Sequence, residues 1–193
     1  MKKLLITGFE PFDGEEINPS WEAVKLLPSV ISDFALTKLQ IPVLFGKASD
    51  MVFALADEIH PDVILCIGQA GGRSEITPEY VAINLRYAKI PDNRGYQPKD
   101  EAVIEGGENA YFSTIPTRKI AEALSAASIN AKVSYSAGTY VCNDLLYSLL
   151  ACYKDSDTKV GFIHIPYCSE QHKEPSMEID EIVRGLILAI ETI

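Results

Sequence analysis

DVILCIGQAGGR, residues 62–73, decides the fold. After Asp62 the run is apolar through Ile67 with no alternation, which suits a strand covered on both faces rather than one wetted on a single side. GQAGGR (68–73) follows as a glycine-rich loop at that strand's C-terminal end. Upstream, Leu4 to Ile6 reads as a first buried strand, and GFEPFDGEEINP (8–19) reads as a loop. Pro19 suits the first turn of a helix over 19–27 with Asn18 as its N-cap. Phe34 to Ile41 alternates as a strand, and Met51, Val52, Leu55 and Ile59 form a helical stripe over 46–59. Downstream, Tyr80 to Leu85 predicts a strand and 86–113 a long polar stretch. A helix over 116–127, a strand from Ala131 to Ser136, a helix over 141–153 and a strand from Val160 to Ile165 come next. A last helix carries Ile179, Ile182, Val183, Leu186 and Ile190. This alternation predicts one α/β domain over 1–193, with helices on both faces of a largely parallel, mixed central sheet. In such a fold ligands bind beyond the strands' C-terminal ends, here the loops 8–19, 68–78, 137–141 and 166–175.

The bulk numbers narrow the field. A chain of 193 residues, 47% apolar and 23% charged, can bury a core without staples. Its net charge of -10 argues against nucleic acid or an anionic membrane as the main partner. The apolar run in MKKLLITGF ends too soon for a signal h-region, and no run approaches membrane-spanning length. Cys66, Cys142, Cys152 and Cys168 form no CxxC pair, so no zinc knuckle or other metal site is expected. Cys66 and Cys152, among apolar neighbours, read as small core residues. These features fit a cytoplasmic enzyme or binding protein.

One cysteine has a chemical setting. In GTYVCND (138–144), Cys142 follows a glycine turn and opens a helix-patterned segment. There the helix dipole and unpaired N–H groups favour a thiolate. FIHIPY (162–167) puts His164 at the exit of an apolar strand. His60 reads instead as a solvated or helix-capping residue, and His172 lies in a polar loop. The matching strand end makes His164 the base for Cys142. A third group should orient the imidazole, and spacing leaves Glu75, Glu79, Asp92 and Glu170 open. GQAGGR matches neither a dinucleotide fingerprint nor a Walker loop, and no G-x-S-x-G is present.

GFEPFDG with NPS (8–14, 18–20), GQAGGRSEIT with Glu79 and VAIN (68–84), IPDN (90–93), SAGTYVCN (136–143) and GFIHIPY with EQ (161–167, 170–171) resemble the pyroglutamyl peptidase I family. The resemblance spans nearly the whole chain in order. It implies a single catalytic domain with an α/β/α sandwich fold. The activity it implies is cofactor-free removal of N-terminal 5-oxoproline from peptides. It assigns Cys142 as nucleophile, His164 as base and Glu79 as orienting acid. It places Phe9 and Phe12 against the lactam ring. Gln69 lies in the loop expected to face the lactam, Asn18 is expected to steady the loop that bears the phenylalanines, and Val141 joins them as a substrate-binding residue. It also implies a homotetramer in the cytoplasm. The N–H of Cys142 suits an oxyanion donor. Two departures stand out. Tyr80 replaces the family's arginine after Glu79, and Lys89 replaces an arginine the family is thought to use near the oxyanion. Lysine keeps the charge but not the planar fork.

Two other classes compete: a ligand-binding homologue with weakened turnover or altered specificity, and a phosphorylase-like transferase. The transferase would need several pocket arginines, and only Arg73 and Arg86 qualify.

Overall fold

The computed structural model describes residues 1–193. In chain order the elements are β1 (Lys2–Phe9), α1 (Pro19–Leu26), β2 (Val30–Ile31), β3 (Phe34–Ile41), α2 (Lys47–Ile59), β4 (Val63–Gln69), β5 (Thr77–Pro78) and β6 (Val81–Ile83). Then follow β7 (Ala110–Phe112), α3 (Thr117–Ala126), α4 (Val141–Tyr153), β8 (Lys159–Ile165), β9 (Tyr167–Cys168), β10 (Ser176–Met177) and α5 (Ile179–Glu191). The central sheet runs β2-β3-β1-β4-β8-β5. Its four inner strands are parallel and its two short edge strands antiparallel.

Residue parity divides the core. Leu4 and Ile6 of β1, Val63, Leu65 and Ile67 of β4, and Ile163 and Ile165 of β8 pack with buried residues of α1, α3 and α5. Leu5 of β1, Ile64 and Cys66 of β4, and Val160 and Phe162 of β8 pack on the other face with α2 and α4. Strands buried on both faces need apolar residues at every position, hence the unbroken runs in the sequence. The same parity puts His164, two residues beyond Phe162, on the α4 face, and Gly68 with it.

β1 feeds β3 on one side of itself, while β3 returns through α2 to β4 on the other. The loops leaving β1 and β4 therefore part in opposite directions and open a crevice at the strands' C-terminal ends.

Three expectations are corrected. Ala131 to Ser136 is not a strand. It touches its neighbour through isolated bridges, Ile76 to Ala131 and Glu79 to Ser134, because the facing segment is short and Pro78 has no N–H to donate. Tyr80 to Leu85 shortens to β6, which leaves the main sheet to pair with β7. Cys152 is exposed rather than in the core. His60 caps α2 in a left-handed conformation, its N–H on Ala56 O.

Candidate active site

Cys142 is the second residue of α4. The turn before it uses Gly138 at φ +80, where a side chain would be strained. Tyr140 gives no side-chain cap. The first backbone bond of this helix runs from Asp144 N–H to Tyr140 O, so the N–H groups of Val141, Cys142 and Asn143 have no carbonyl partner. Asn143 locks this end down, its Nδ2 donating to Ile83 O and its Oδ1 accepting from Ile83 N–H.

His164 on β8 pairs in register with Gly68 on β4. The Cys142 Sγ lies 3.2 Å from the point where a Gly68 Cβ would stand, and the Phe162 ring 2.6 Å from it. Only a glycine leaves room here for the thiol above the strand that neighbours His164. The His164 ring packs 4.7 Å from that of Phe162.

Glu79, just past β5, is wholly buried. Its Oε1 meets His164 Nδ1 at 2.7 Å and accepts from Arg73 Nη1 at 2.7 Å. Arg73 also donates to Thr77 Oγ1 at 2.8 Å and to Ser136 O at 3.3 Å. Glu79 Oε2 has no partner. Burial works to raise the Glu79 pKa, but the bond and charge of His164, then Ser134 and Arg73, outweigh it and hold the carboxyl below its ordinary value. The Ser134 hydroxyl is turned to Ser136 O at 3.2 Å. Turned towards Glu79, it would donate to that carboxylate.

The thiol departs from the sequence reading. Burial, then Glu79 and Cys66, push Cys142 up to about 12, against Arg73 and its own N–H. Cys142 is nevertheless partly open to solvent. Burial thus works against the thiolate that a helix N-terminus favours.

A slot of about 40 Å³ opens beside the thiol, lined by Phe9, Phe12, Asn18, Val43, Gln69, Tyr140, Val141 and Cys142. A larger groove of about 520 Å³ runs past Ile17, Leu26, Cys168 and Ile179. We place the site at the slot because the Cys142 thiol lines it and stands over Gly68, the strand partner of His164, whereas none of Cys142, His164 and Glu79 lines the groove. Asn18 Oδ1 caps α1 at Ser20 N–H, and its Nδ2 donates to Glu10 O, steadying the loop that bears Phe12. Gln69 Oε1 accepts from Gln171 Nε2 at 3.0 Å. The Lys89 side chain is exposed, makes no ion pair and is not among the slot's lining residues.

Sequence reasoning missed Val43, Tyr140 and the bond from Arg73 to Glu79. Tyr140, two residues before Cys142, was within reach. Val43 had no signal, because it enters only where the loop after β3 abuts that after β1. His/Cys/Asp/Glu side chains form no cluster of three that suits a metal ion.

A thiol at a helix start, near an imidazole on a strand of an α/β sheet and a buried carboxylate just past its edge strand, is an arrangement compatible with a cysteine-type peptidase. The profile of the pyroglutamyl peptidase family matches residues 2–193, and the chain belongs to that family. It is 49% identical over 197 residues to a pyrrolidone-carboxylate peptidase of Thermosipho africanus, covering 99% of this chain and 96% of the relative. The crystal structure of Bacillus amyloliquefaciens pyroglutamyl peptidase I superposes with a TM-score of 0.95 at 44% identity, covering 100% of this chain and 96% of that one. The pyrrolidone carboxyl peptidase from Thermococcus litoralis gives 0.95 at 37% identity, covering 100% and 93%.

Proposed function

We propose that this enzyme, as one catalytic domain over 1–193, hydrolyses an N-terminal pyroglutamyl residue from peptides through Cys142, His164 and Glu79, without a cofactor. The observation that carries the reading is the His164–Glu79 pair on the strand beside the one over which the Cys142 thiol stands, with that thiol lining an uncharged slot. His164 removes the thiol proton as Sγ attacks the carbonyl carbon joining pyroglutamate to the next residue. The C–S bond forms, and the oxyanion meets the free Cys142 N–H. His164 then protonates the leaving amine as the C–N bond breaks, leaving a thioester. Water, deprotonated by His164, hydrolyses it and restores the thiol. Glu79 orients the imidazole and balances its charge throughout.

The slot suits a small, flat, uncharged lactam. Phe9, Phe12, Val43, Tyr140 and Val141 offer apolar walls. Gln69 keeps its Nε2 for the lactam carbonyl while its Oε1 is tied to Gln171. No charged side chain lines the slot, so a free glutamyl residue, carrying an ammonium and a carboxylate, is rejected. A phosphate-using transferase is disfavoured because Arg73 is committed to Glu79 and Arg86 to Asp144. Lys89 is proposed to act near the oxyanion through its charge. A homotetramer in the cytoplasm completes the reading; light scattering tests the assembly. No helix here is long and apolar enough to cross a membrane.

A chromogenic pyroglutamyl amide tests this directly. Wild type releases the chromophore and iodoacetamide stops it, while Cys142→Ala, folded by circular dichroism, is inactive. Undiminished release by Cys142→Ala overturns the mechanism. No release by wild type from any pyroglutamyl amide, with a free Cys142 thiol, overturns the substrate.

A further inference from the structure

We propose that Arg73 is the fourth member of this site, a positioning residue that fixes both the orientation and the charge of Glu79. The inference rests on the peptidase reading above and deepens it. Glu79 Oε1 is shared: His164 Nδ1 and Arg73 Nη1 both meet it at 2.7 Å. A carboxylate held by His164 alone can rotate about its last torsion. The guanidinium removes that freedom, because it is itself fixed at Thr77 Oγ1 and Ser136 O. Thr77 pairs across β5 with His164, and its hydroxyl contacts His164 O at 3.4 Å. Arg73 thus ties the loop after β4, β5 and the 131–136 segment to one oxygen.

The groups that face Glu79 are few. They are His164 from β8, Arg73 from the loop after β4, Ser134 across the backbone bridge, and the Cys142 thiol of α4. Arg73 is the only permanent cation among them. It helps hold Glu79 ionised, and it offsets the carboxylate's opposition to a thiolate at Cys142. Without it, the Glu79 and Cys142 protons are held more tightly. A loop strap without electrostatic function has no such consequence.

The test uses Arg73→Gln and Arg73→Lys in the full-length protein. One readout is the pH profile of pyroglutamyl amide hydrolysis. The other, which needs no substrate, is the pH profile of iodoacetamide labelling at Cys142, followed by mass spectrometry. In Arg73→Gln both limbs of the hydrolysis profile and the labelling profile move up by about one pH unit. At the optimum kcat falls roughly 10- to 100-fold while KM stays within about twofold. Arg73→Lys keeps the limbs near wild type but recovers only part of kcat, because one ammonium cannot reproduce the fork. Unmoved profiles in Arg73→Gln overturn the proposal, whatever its thermal stability. If Arg73→Gln does not fold, Arg73→Lys decides: wild-type kcat in that variant overturns the proposal. The labelling profile stands even if no pyroglutamyl amide is cleaved, so failure of the substrate reading and failure of this inference are distinguishable.

Discussion

Glu79 and Asp144 are both fully buried carboxylates, and each meets an arginine. Asp144 is satisfied on both oxygens. Oδ1 accepts from Arg86 Nε at 2.5 Å and Oδ2 from Gly46 N–H at 2.8 Å, which ties the start of α4 to the start of α2. Glu79 loads two partners on Oε1 and leaves Oε2 bare. Their pKa values diverge accordingly. Burial, aided by the charge of Asp50, pushes Asp144 up more than Gly46 and Arg86 pull it down, whereas His164 and its companions bring Glu79 below its ordinary value. A closed, satisfied pair serves as a brace. An unevenly satisfied one, whose main partner changes charge during turnover, serves chemistry.

The contrast breaks first at Glu79. Glu79→Gln should lower kcat/KM by roughly 10³- to 10⁴-fold with a melting temperature close to wild type. If stability collapses and the folded fraction keeps full rate, Glu79 is the brace and the two roles are reversed. Next, Arg86→Met leaves Asp144 buried and unpaired, at a cost of roughly 3–5 kcal/mol of stability by urea titration. Loss of rate without loss of stability in that variant moves Arg86 into the chemistry.

pH sharpens the comparison. For Glu79, with its folded pKa lowered, the ionised pairing stabilises above the ordinary carboxylate value of 4.5 and is lost as pH falls through the folded value. For Asp144, with its folded pKa raised, stability is greatest below the ordinary 3.8 and declines as pH rises through the folded value. The stability difference between wild type and Glu79→Gln should therefore shrink on acidification, and that between wild type and Asp144→Asn should grow. Denaturant midpoints between about pH 3 and pH 6 measure both slopes. Slopes of the same sign erase the distinction.

Smaller effects belong to the slot. Phe12 stacks near Tyr140 with ring centroids 6.3 Å apart. Phe12→Ala should raise KM about tenfold and change kcat little, since the wall binds substrate and transition state alike. The smallest effect is expected at exposed Lys89. Lys89→Ala should lower kcat by a few-fold without raising KM, and Lys89→Arg should hold or raise it, if a cation there meets the oxyanion. Equality of Lys89→Ala with wild type returns Lys89 to the solvated surface.

Chain pattern alone determined the layer architecture, and the reason is periodicity. The run from Val63 to Ile67 needs cover on both faces, and the stripe from Met51 to Ile59 needs a helix. Residue chemistry together with the family resemblance brought Cys142, His164, Glu79, Phe9, Phe12, Asn18, Gln69 and Val141 into view. Four things were decided only by tertiary structure. The pairing of 131–136 failed because its partner segment is short and contains Pro78, a non-local fact. Val43 entered the slot because β3 lies beside β1, which strand order fixes and sequence does not. The balance at Cys142 tipped towards the neutral thiol because burial outweighs the helix N-terminus, and burial belongs to the packed molecule. The bond from Arg73 to Glu79, six residues apart, also depends on the fold, because the β5 edge must bring Glu79 onto His164 and let Arg73 reach the same carboxylate oxygen.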